Sequence, residues 1–166
     1  MDVVNPNVRE IKLNKGFVAI VDADDYERVS RYKWRVMTAD RRRTQYARCK
    51  IYGQAVLLHR FIMQARPGQI MDHINRDGLD NRKANLRFVT RSQNAVNVDK
   101  RRSANATSSY KGVYWDKSKR KWTSRLMVNG KALFRRLPTE EEAARAYDEM
   151  AREHYGEYAQ LNFEET

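Results

Sequence analysis

The chain of 166 residues has a single cysteine, Cys49, and three histidines, so it lacks the ligands for a disulfide framework or a Cys-rich zinc site. No apolar run approaches the roughly 20 residues of a membrane-spanning helix. The beginning, MDVVNPNVRE, has neither the basic start nor the apolar stretch of a signal peptide. We therefore expect a cytoplasmic protein in which any metal is a hard cation on oxygen ligands, without structural zinc.

Positive charge is abundant and unevenly distributed. The formal net charge of +12 favours a polyanionic partner, with nucleic acid ahead of an anionic membrane. Residues 100–136 carry twelve Lys or Arg against Asp116 alone, whereas residues 137–166 carry nine acids against Arg145 and Arg152. This segregation predicts a face shaped for phosphates, with an acidic element behind it.

Residues 1–51 are predicted to form a strand-rich N-terminal segment. Residues 9–21 are typical of a strand pair that turns at 14–16, and residues 34–51 of two further strands. The basic turn between the later strands could contact a DNA backbone or be a solvated loop. Its arginines are Arg41, Arg42 and Arg43.

Three aspartates precede YERVSRYKW, which has the pattern of a short helix. Because aspartate at a helix start commonly accepts hydrogen bonds from free N–H groups, we expect capping rather than metal binding. These acids are Asp22, Asp24 and Asp25.

Residues 56–64, VLLHRFIMQ, are apolar enough to be buried, as either helix or strand. His59 lies inside this stretch. A histidine among apolar neighbours is usually a hydrogen-bonded core residue, with direct function as the alternative. Residues 66–68, Arg-Pro-Gly, predict a turn that leads into the following segment.

Polar side chains recur at fixed intervals between residues 70 and 94, in IMDHINRDGLDNRKANLRFVTRSQN. Asp72 and His73 are adjacent, Asn85 opens a short apolar strand, and Asn94 follows the predicted helix start at Thr90. Spacing alone is weak evidence, because a turn at Asp-His and two capping asparagines would give the same pattern.

This stretch resembles the HNH motif of the ββα-metal (His-Me finger) nucleases, in the subgroup with Asn at the last position. The flanking LHR and NLR segments, at 58–60 and 85–87, strengthen the resemblance. It implies a nuclease core over residues 52–99 that cleaves DNA with one divalent metal ion, Mg²⁺ or Mn²⁺. The implied roles are general base for His73, metal ligands for Asp72 and Asn94, and structural support for Asn85.

One geometric difficulty follows from strand structure. Adjacent residues of a regular strand point to opposite faces, so Asp72 and His73 can reach one site only where the pleat breaks. We expect that break in the turn-rich loop at 75–78. The other polar residues of the loop, Asp77, Asp80 and Asn81, are expected to stabilise its turns.

Residues 100–109 have the composition of a basic linker, and a second domain is predicted over residues 110–166. Its pattern is three short strands with a hairpin turn at Asn129-Gly130, followed by a capping box at 139–142 that opens a helix. One helical stripe is expected to pack on the sheet, with two tail residues beneath it. The stripe is Ala143, Ala146, Tyr147, Met150 and His154; the tail residues are Leu161 and Phe163.

The segments YKGV, KW, NGK, EEAARAYDEMA and LNF resemble the DNA-binding domain of plant ethylene-response factors (ERF-type), which is also found fused to HNH nucleases. The resemblance implies a sheet that lies in the major groove of double-stranded DNA. Trp122 suits core packing as well as contact. The residues at contact positions are Lys111, Tyr114, Trp115, Lys121, Arg125, Arg135 and Arg136. Since Tyr114 and Arg135 depart from the plant pattern, the plant target sequence is not transferred.

The sequence thus predicts an α+β protein with a strand-rich region, a ββα-metal core, a linker, and a three-stranded antiparallel sheet packed on one helix. We expect a homing-type HNH endonuclease of a phage or mobile element, acting on DNA in a bacterial or phage-infected cell. It would nick or cleave as a monomer or dimer, without an obligate protein partner. The alternative is a non-catalytic DNA-binding protein or regulator with a degenerate HNH fold.

Overall fold

The computed structural model describes residues 6–38, 44–98 and 106–163. Within these ranges the chain forms ten strands, in four antiparallel sheets, and four α-helices, so the predicted α+β class is confirmed. Contacts divide the chain into two compact units, residues 1–89 and 90–166, here called the N-terminal unit and the C-terminal unit. None of the described helices has the length and apolar character that crossing a bilayer requires.

The N-terminal unit begins with the predicted strand pair. β1 (Val8–Lys12) and β2 (Val18–Asp22) are antiparallel. A 3₁₀ turn at Asn14–Gly16 joins them, and Lys15 and Gly16 both have positive φ there. Glycine tolerates that backbone conformation without steric cost, which explains why the chain turns at this point.

The helix α1 (Ala23–Ser30) follows directly, but the Asp22 side chain does not cap it as expected. Asp22 occupies the N-cap position, yet its Oδ2 accepts the backbone N–H of Lys83 at 2.8 Å and no helix N–H. Asp25 is buried and forms ion pairs with Arg28 at 2.7 Å and with Lys83 at 2.9 Å. The capping prediction is therefore wrong for the Asp22 side chain, because a partner distant in sequence takes its oxygen.

Three further strands form one antiparallel sheet in the order β3-β4-β5. They are β3 (Arg35–Thr38), β4 (Gln45–Ile51) and β5 (Gln54–Leu57). Residues 56–64 are divided between the two predicted alternatives, since β5 ends at Leu57 and the short helix α2 (Leu58–Ile62) begins at once. The predicted basic turn with Arg41, Arg42 and Arg43 lies outside the described residues.

The core of the N-terminal unit joins β1, β2, α1, the three-stranded sheet and α2. Trp34 is 4% exposed and donates its indole N–H to the Val29 carbonyl at 2.9 Å. Cys49 is buried as a free thiol, and burial raises its pKa. Other core side chains are Ile11, Ala19, Val21, Ala47, Leu58, Ile62 and Leu86. The sheets and α2 thus form a fixed base for the hairpin that follows.

That hairpin consists of β6 (Ile70–His73) and β7 (Leu86–Val89), with Asp72 opposite Arg87 and His73 opposite Leu86. The loop between the strands is bound to β2. The N–H of Ile20 donates to the Leu79 carbonyl at 2.8 Å, and the N–H of Asn81 donates to the Ile20 carbonyl at 2.7 Å.

The C-terminal unit contains the short helix α3 (Arg91–Val96) and the sheet β10-β9-β8, followed by the helix α4 (Glu140–Tyr155). The strands are β8 (Val113–Asp116), β9 (Lys121–Val128) and β10 (Lys131–Leu137). Asn129 and Gly130 both have positive φ, as the predicted hairpin turn requires. Capping boxes open both helices, with Thr90 and Gln93 at α3 and Thr139 and Glu142 at α4.

The predicted stripe of α4 is correct except at its end. Ala143, Ala146, Tyr147 and Met150 are buried, and the tail residues Leu161 and Phe163 pack against the same cores. His154 is exposed, so its inclusion is wrong. Tyr155 takes its place in the packing and donates its hydroxyl to the Met127 carbonyl at 2.6 Å.

The division between the units falls after Val89, ahead of Asn94. The predicted functional segments 1–51, 52–99, 100–109 and 110–166 remain predictions. Residues 100–105 of the predicted linker lie outside the described residues.

Candidate active site

His73 ends strand β6 and is 6% exposed. Its register partner, Leu86, belongs to the core of the N-terminal unit, so the imidazole points inward. Burial lowers the pKa of His73. The nearby Asn81 side chain and neighbouring carboxylates oppose that shift. The imidazole is therefore neutral at neutral pH, the form that accepts a proton.

Asp72 is on the other face of the hairpin. Its register partner is Arg87, and the two side chains form an ion pair at 3.1 Å. Both are mostly buried, with side-chain exposures of 11% for Asp72 and 12% for Arg87. The expected pleat break comes too late to bring the two side chains together, because β6 continues through His73 and Arg76 is the next residue with positive φ.

Asn85 holds the loop between the strands. Its Oδ1 accepts the backbone N–H of Asn75 at 2.9 Å. Its Nδ2 donates to Asn75 Oδ1 at 2.9 Å and to the Asp80 carbonyl at 2.8 Å. One buried amide therefore ties the loop to the start of β7, one residue before the strand position opposite His73.

The remaining polar residues of the loop stabilise its turns, as predicted. Asp77 Oδ1 accepts the backbone N–H of Leu79 at 2.9 Å. Asp80 forms an ion pair with Arg82 at 2.6 Å, and this hydrogen-bonded guanidinium keeps the Asp80 pKa low. A side chain at Gly78 would collide with the Gln45 carbonyl, so this position requires glycine.

His59 lies directly beside His73. The two rings are nearly perpendicular, with centroids 5.0 Å apart, and Tyr46 is 5.7 Å from each. His59 is buried, and its Nδ1 makes no hydrogen bond with the described part of the chain. Burial, followed by repulsion from His73 and Arg60, lowers its pKa to about 3. The sequence shows His59 in a flanking segment but gives no sign of this proximity.

A divalent cation would find few protein ligands here. Among the described residues, no three His, Cys, Asp or Glu side chains form a group that could hold a metal. Asp72 is on β6 of the N-terminal unit and Asn94 is on α3 of the C-terminal unit, and their role as metal ligands remains a prediction. Carboxylate and amide oxygens are donor types that suit Mg²⁺ or Mn²⁺.

The basic residues of the C-terminal sheet are on two faces. Leu126 of β9 packs against α4. Its neighbour Arg125 is exposed and points to the opposite face, away from α4. Thr123 lies on the same side of β9 as Arg125. Tyr114 and Arg136 are both register partners of Thr123, so they also lie on the face away from α4. Side chains at Lys121, Arg125 and Arg136 are exposed there.

Other predicted contact residues belong to the face toward α4 or to its edge. Arg135 forms an ion pair with Glu149 of α4 at 2.6 Å. Trp115 and Trp122 are opposite each other, with ring centroids 5.3 Å apart. Lys111 donates its ammonium group to the Val96 carbonyl at the end of α3.

Two comparisons with known proteins identify relatives of this chain. The profile of the HNH endonuclease family matches residues 56–96, which include α2, the β6–β7 hairpin and α3. A protein of Acanthamoeba polyphaga mimivirus, named an uncharacterized HNH endonuclease, is 34% identical over 155 residues; the matched region covers 89% of this chain and 76% of that protein. The chain belongs to the HNH endonuclease family. No solved structure matches it.

Membership makes the protein a DNA endonuclease, and HNH nucleases generally use a divalent metal ion. The family match begins before the HNH hairpin and therefore includes His59. It ends at Val96, so the ERF-type assignment of the C-terminal sheet remains a prediction.

Proposed function

We propose that this HNH endonuclease is metal-dependent and hydrolyses phosphodiester bonds in double-stranded DNA, with His73 as general base. The observation that supports this role most is the burial of a neutral imidazole at the end of β6, over a loop held by Asn85. In this proposal His73 takes a proton from water. The water oxygen forms a bond to phosphorus as the bond to the leaving sugar oxygen breaks.

Asp72 and Asn94 are the proposed metal ligands. A divalent cation held by their oxygens would neutralise the scissile phosphate and stabilise the leaving oxygen. Asp72 and His73 leave β6 on opposite faces, so in this proposal the metal ion and the base approach the phosphate from different sides. Asn85 supports this arrangement by fixing the loop that ends the strand.

We further propose that the C-terminal sheet brings the nuclease to DNA. The exposed cations Lys121, Arg125 and Arg136 are suited to phosphate and base-edge contacts on the face away from α4. Tyr114 shares that face. One active site per chain favours nicking by a monomer, and a double-strand break would require a dimer or a second event.

Incubation with supercoiled plasmid and Mg²⁺ or Mn²⁺ tests this function. Open-circle product should appear, and EDTA should prevent it. His73→Ala should slow nicking by about 10²–10⁴-fold, the usual contribution of a general base. Asp72→Ala should abolish metal-dependent nicking, with DNA binding retained in a gel shift.

The exposed His154 provides the matched control, and His154→Ala should nick like the unmodified protein. Equal cutting by His73→Ala would refute the assignment of the base. Binding without cleavage at any metal concentration would refute the catalytic function of this chain.

A further inference from the structure

The short helix α3, which carries Asn94, shares the hydrophobic core of the C-terminal unit. Val96 is 6% exposed and packs in one cluster with four residues of β9 and α4. These are Leu126, Tyr147, Met150 and Ala151. The last helix of the nuclease motif is therefore fixed by the basic sheet and its helix.

The C-terminal end of α3 is held by a second set of contacts. The Val96 carbonyl accepts the backbone N–H of Gln160 at 3.0 Å and also the ammonium group of Lys111. Carbonyls in the last turn of a helix lack partners within the helix, and a cation there is favourable for the helix dipole. Lys111 thus supplies both a hydrogen-bond donor for the Val96 carbonyl and a positive charge at the C-terminal end of α3.

Lys111 is itself fixed to α4 through Asn162. Its backbone N–H donates to Asn162 Oδ1 at 2.6 Å, and Asn162 Nδ2 donates back to the Lys111 carbonyl at 3.1 Å. Asp148 is buried in α4 and accepts the backbone N–H of Asn162 at 2.8 Å and that of Phe163 at 2.9 Å. A continuous series of hydrogen bonds runs from α4 to the end of α3.

The length of α3 makes these contacts important. It has six residues, and an isolated helix below about 12 residues is marginal in water. The capping box of Thr90 and Gln93 secures only the first turn. The position of Asn94, in that helix, therefore depends on tertiary contacts made at Val96.

We propose that the C-terminal unit is part of the nuclease scaffold, and that Lys111 is a positioning residue for Asn94 rather than a DNA contact. This inference rests on the proposed role of Asn94 as a metal ligand. It assigns the basic sheet a second task besides DNA binding: holding the helix that carries Asn94.

Lys111→Met is the decisive variant, and Lys121→Met on the exposed face of β9 is its counterpart. In the full chain, Lys111→Met should speed hydrogen exchange of the α3 amides about tenfold or more. It should raise the Mg²⁺ concentration for half-maximal plasmid nicking several-fold, with the Kd for duplex DNA and its salt dependence unchanged. Lys121→Met should weaken DNA binding and flatten its salt dependence, with α3 exchange unchanged.

Lys111→Arg keeps a cationic donor and should restore both α3 exchange and the Mg²⁺ requirement, which separates positioning from a general loss of folding. Unchanged α3 exchange in Lys111→Met would overturn the proposal. A DNA-binding defect like that of Lys121→Met would also overturn it. If the unmodified protein does not nick, the proposed function fails, whereas hydrogen exchange still decides whether Lys111 holds α3.

Discussion

The β6–β7 hairpin and the β8–β10 sheet are both antiparallel, but they use polar residues in opposite ways. In the hairpin and its loop, His73, Asp80, Asn81 and Asn85 are buried and interact with one another or with the backbone. In the sheet, the cations on the face away from α4 are exposed. Chemistry requires fixed orientations, whereas phosphate binding requires accessible charge, so the two regions suit the two halves of a DNA endonuclease's task.

The largest effect is expected from removing the Asn85 side-chain amide, which orders the hairpin loop. Asn85→Leu deletes three hydrogen bonds to buried or partly buried groups. It should destabilise the N-terminal unit by about 3 kcal/mol, because groups left without partners lose roughly 1–3 kcal/mol each. Hydrogen exchange of β6 and β7 measures the loss, and nicking should fall with it.

A substitution in the turn between β9 and β10 is the control. Asn129→Gly, at a turn with positive φ, leaves every hydrogen bond of the hairpin loop in place and should leave β6 and β7 exchange unchanged. Normal β6 and β7 protection in Asn85→Leu would show that the loop does not depend on this amide.

Acid should affect the hairpin region before the sheet. The pKa of His59 is lowered to about 3 and that of His73 is lowered as well, from an ordinary 6.5, so below pH 6.5 the unfolded chain binds protons that the folded unit excludes. Stability is unaffected above pH 6.5 and is lost as pH falls below it, by up to about 1.4 kcal/mol per pH unit for each histidine, and for His59 the loss continues toward pH 3.

Hydrogen exchange of β4 between pH 6.5 and 5, corrected for intrinsic rates, measures this loss. The range lies above the titration of Asp25 and Asp80, whose pKa values are lowered from 3.8. His59→Gln should reduce the slope. The same slope in that variant would mean that His59 is not the group responsible.

Removing the ion-pair partner of Asp72 should strengthen metal binding by this carboxylate. Arg87→Gln removes the cation that pairs with Asp72 at 3.1 Å, so Mn²⁺ should bind the free protein about tenfold more tightly, a gain of about 1.4 kcal/mol. Electron paramagnetic resonance of Mn²⁺ measures this affinity. Arg82→Gln, whose partner is Asp80, should leave it unchanged. Unchanged affinity in Arg87→Gln would argue against Asp72 as a ligand.

The smallest expected effect distinguishes the two faces of the sheet. A plot of log K for DNA association against log salt concentration has a negative slope. Arg125→Met should reduce the size of that slope by about 0.9 for each phosphate that the protein no longer neutralises. Arg135→Met should change it little, because Arg135 pairs with Glu149 on the side toward α4. Fluorescence anisotropy with a labelled duplex at several salt concentrations measures both. Equal slopes for the two variants would contradict the division into faces.

Local chemistry made much of this architecture predictable. Asn129-Gly130 specifies a hairpin turn by its backbone preference, and Thr139 with Glu142 specifies a helix start by reciprocal hydrogen bonds. The Asp-His pair and the two asparagines resemble the HNH motif, and this resemblance predicted the family. Each of these signals lies within a few residues or in a fixed spacing.

Long-range pairing was not predictable in the same way. His59 is fourteen positions before His73, and nothing local places the rings 5.0 Å apart. The Asp22 carboxylate binds the N–H of Lys83 rather than its own helix, because the fold brings the later residue to it. The face occupied by Arg135 follows from the register of β9 and β10, which the sequence leaves open.

The proposal that Asp72 and Asn94 bind the same cation is tested most directly by paramagnetic broadening by Mn²⁺. Substoichiometric Mn²⁺ added to the ¹⁵N-labelled protein should broaden the backbone amide signal of Asp72 and the side-chain amide signal of Asn94 together. Asp72→Ala should abolish both effects. Broadening of one signal without the other, or of Asn94 in Asp72→Ala, would contradict a shared ion.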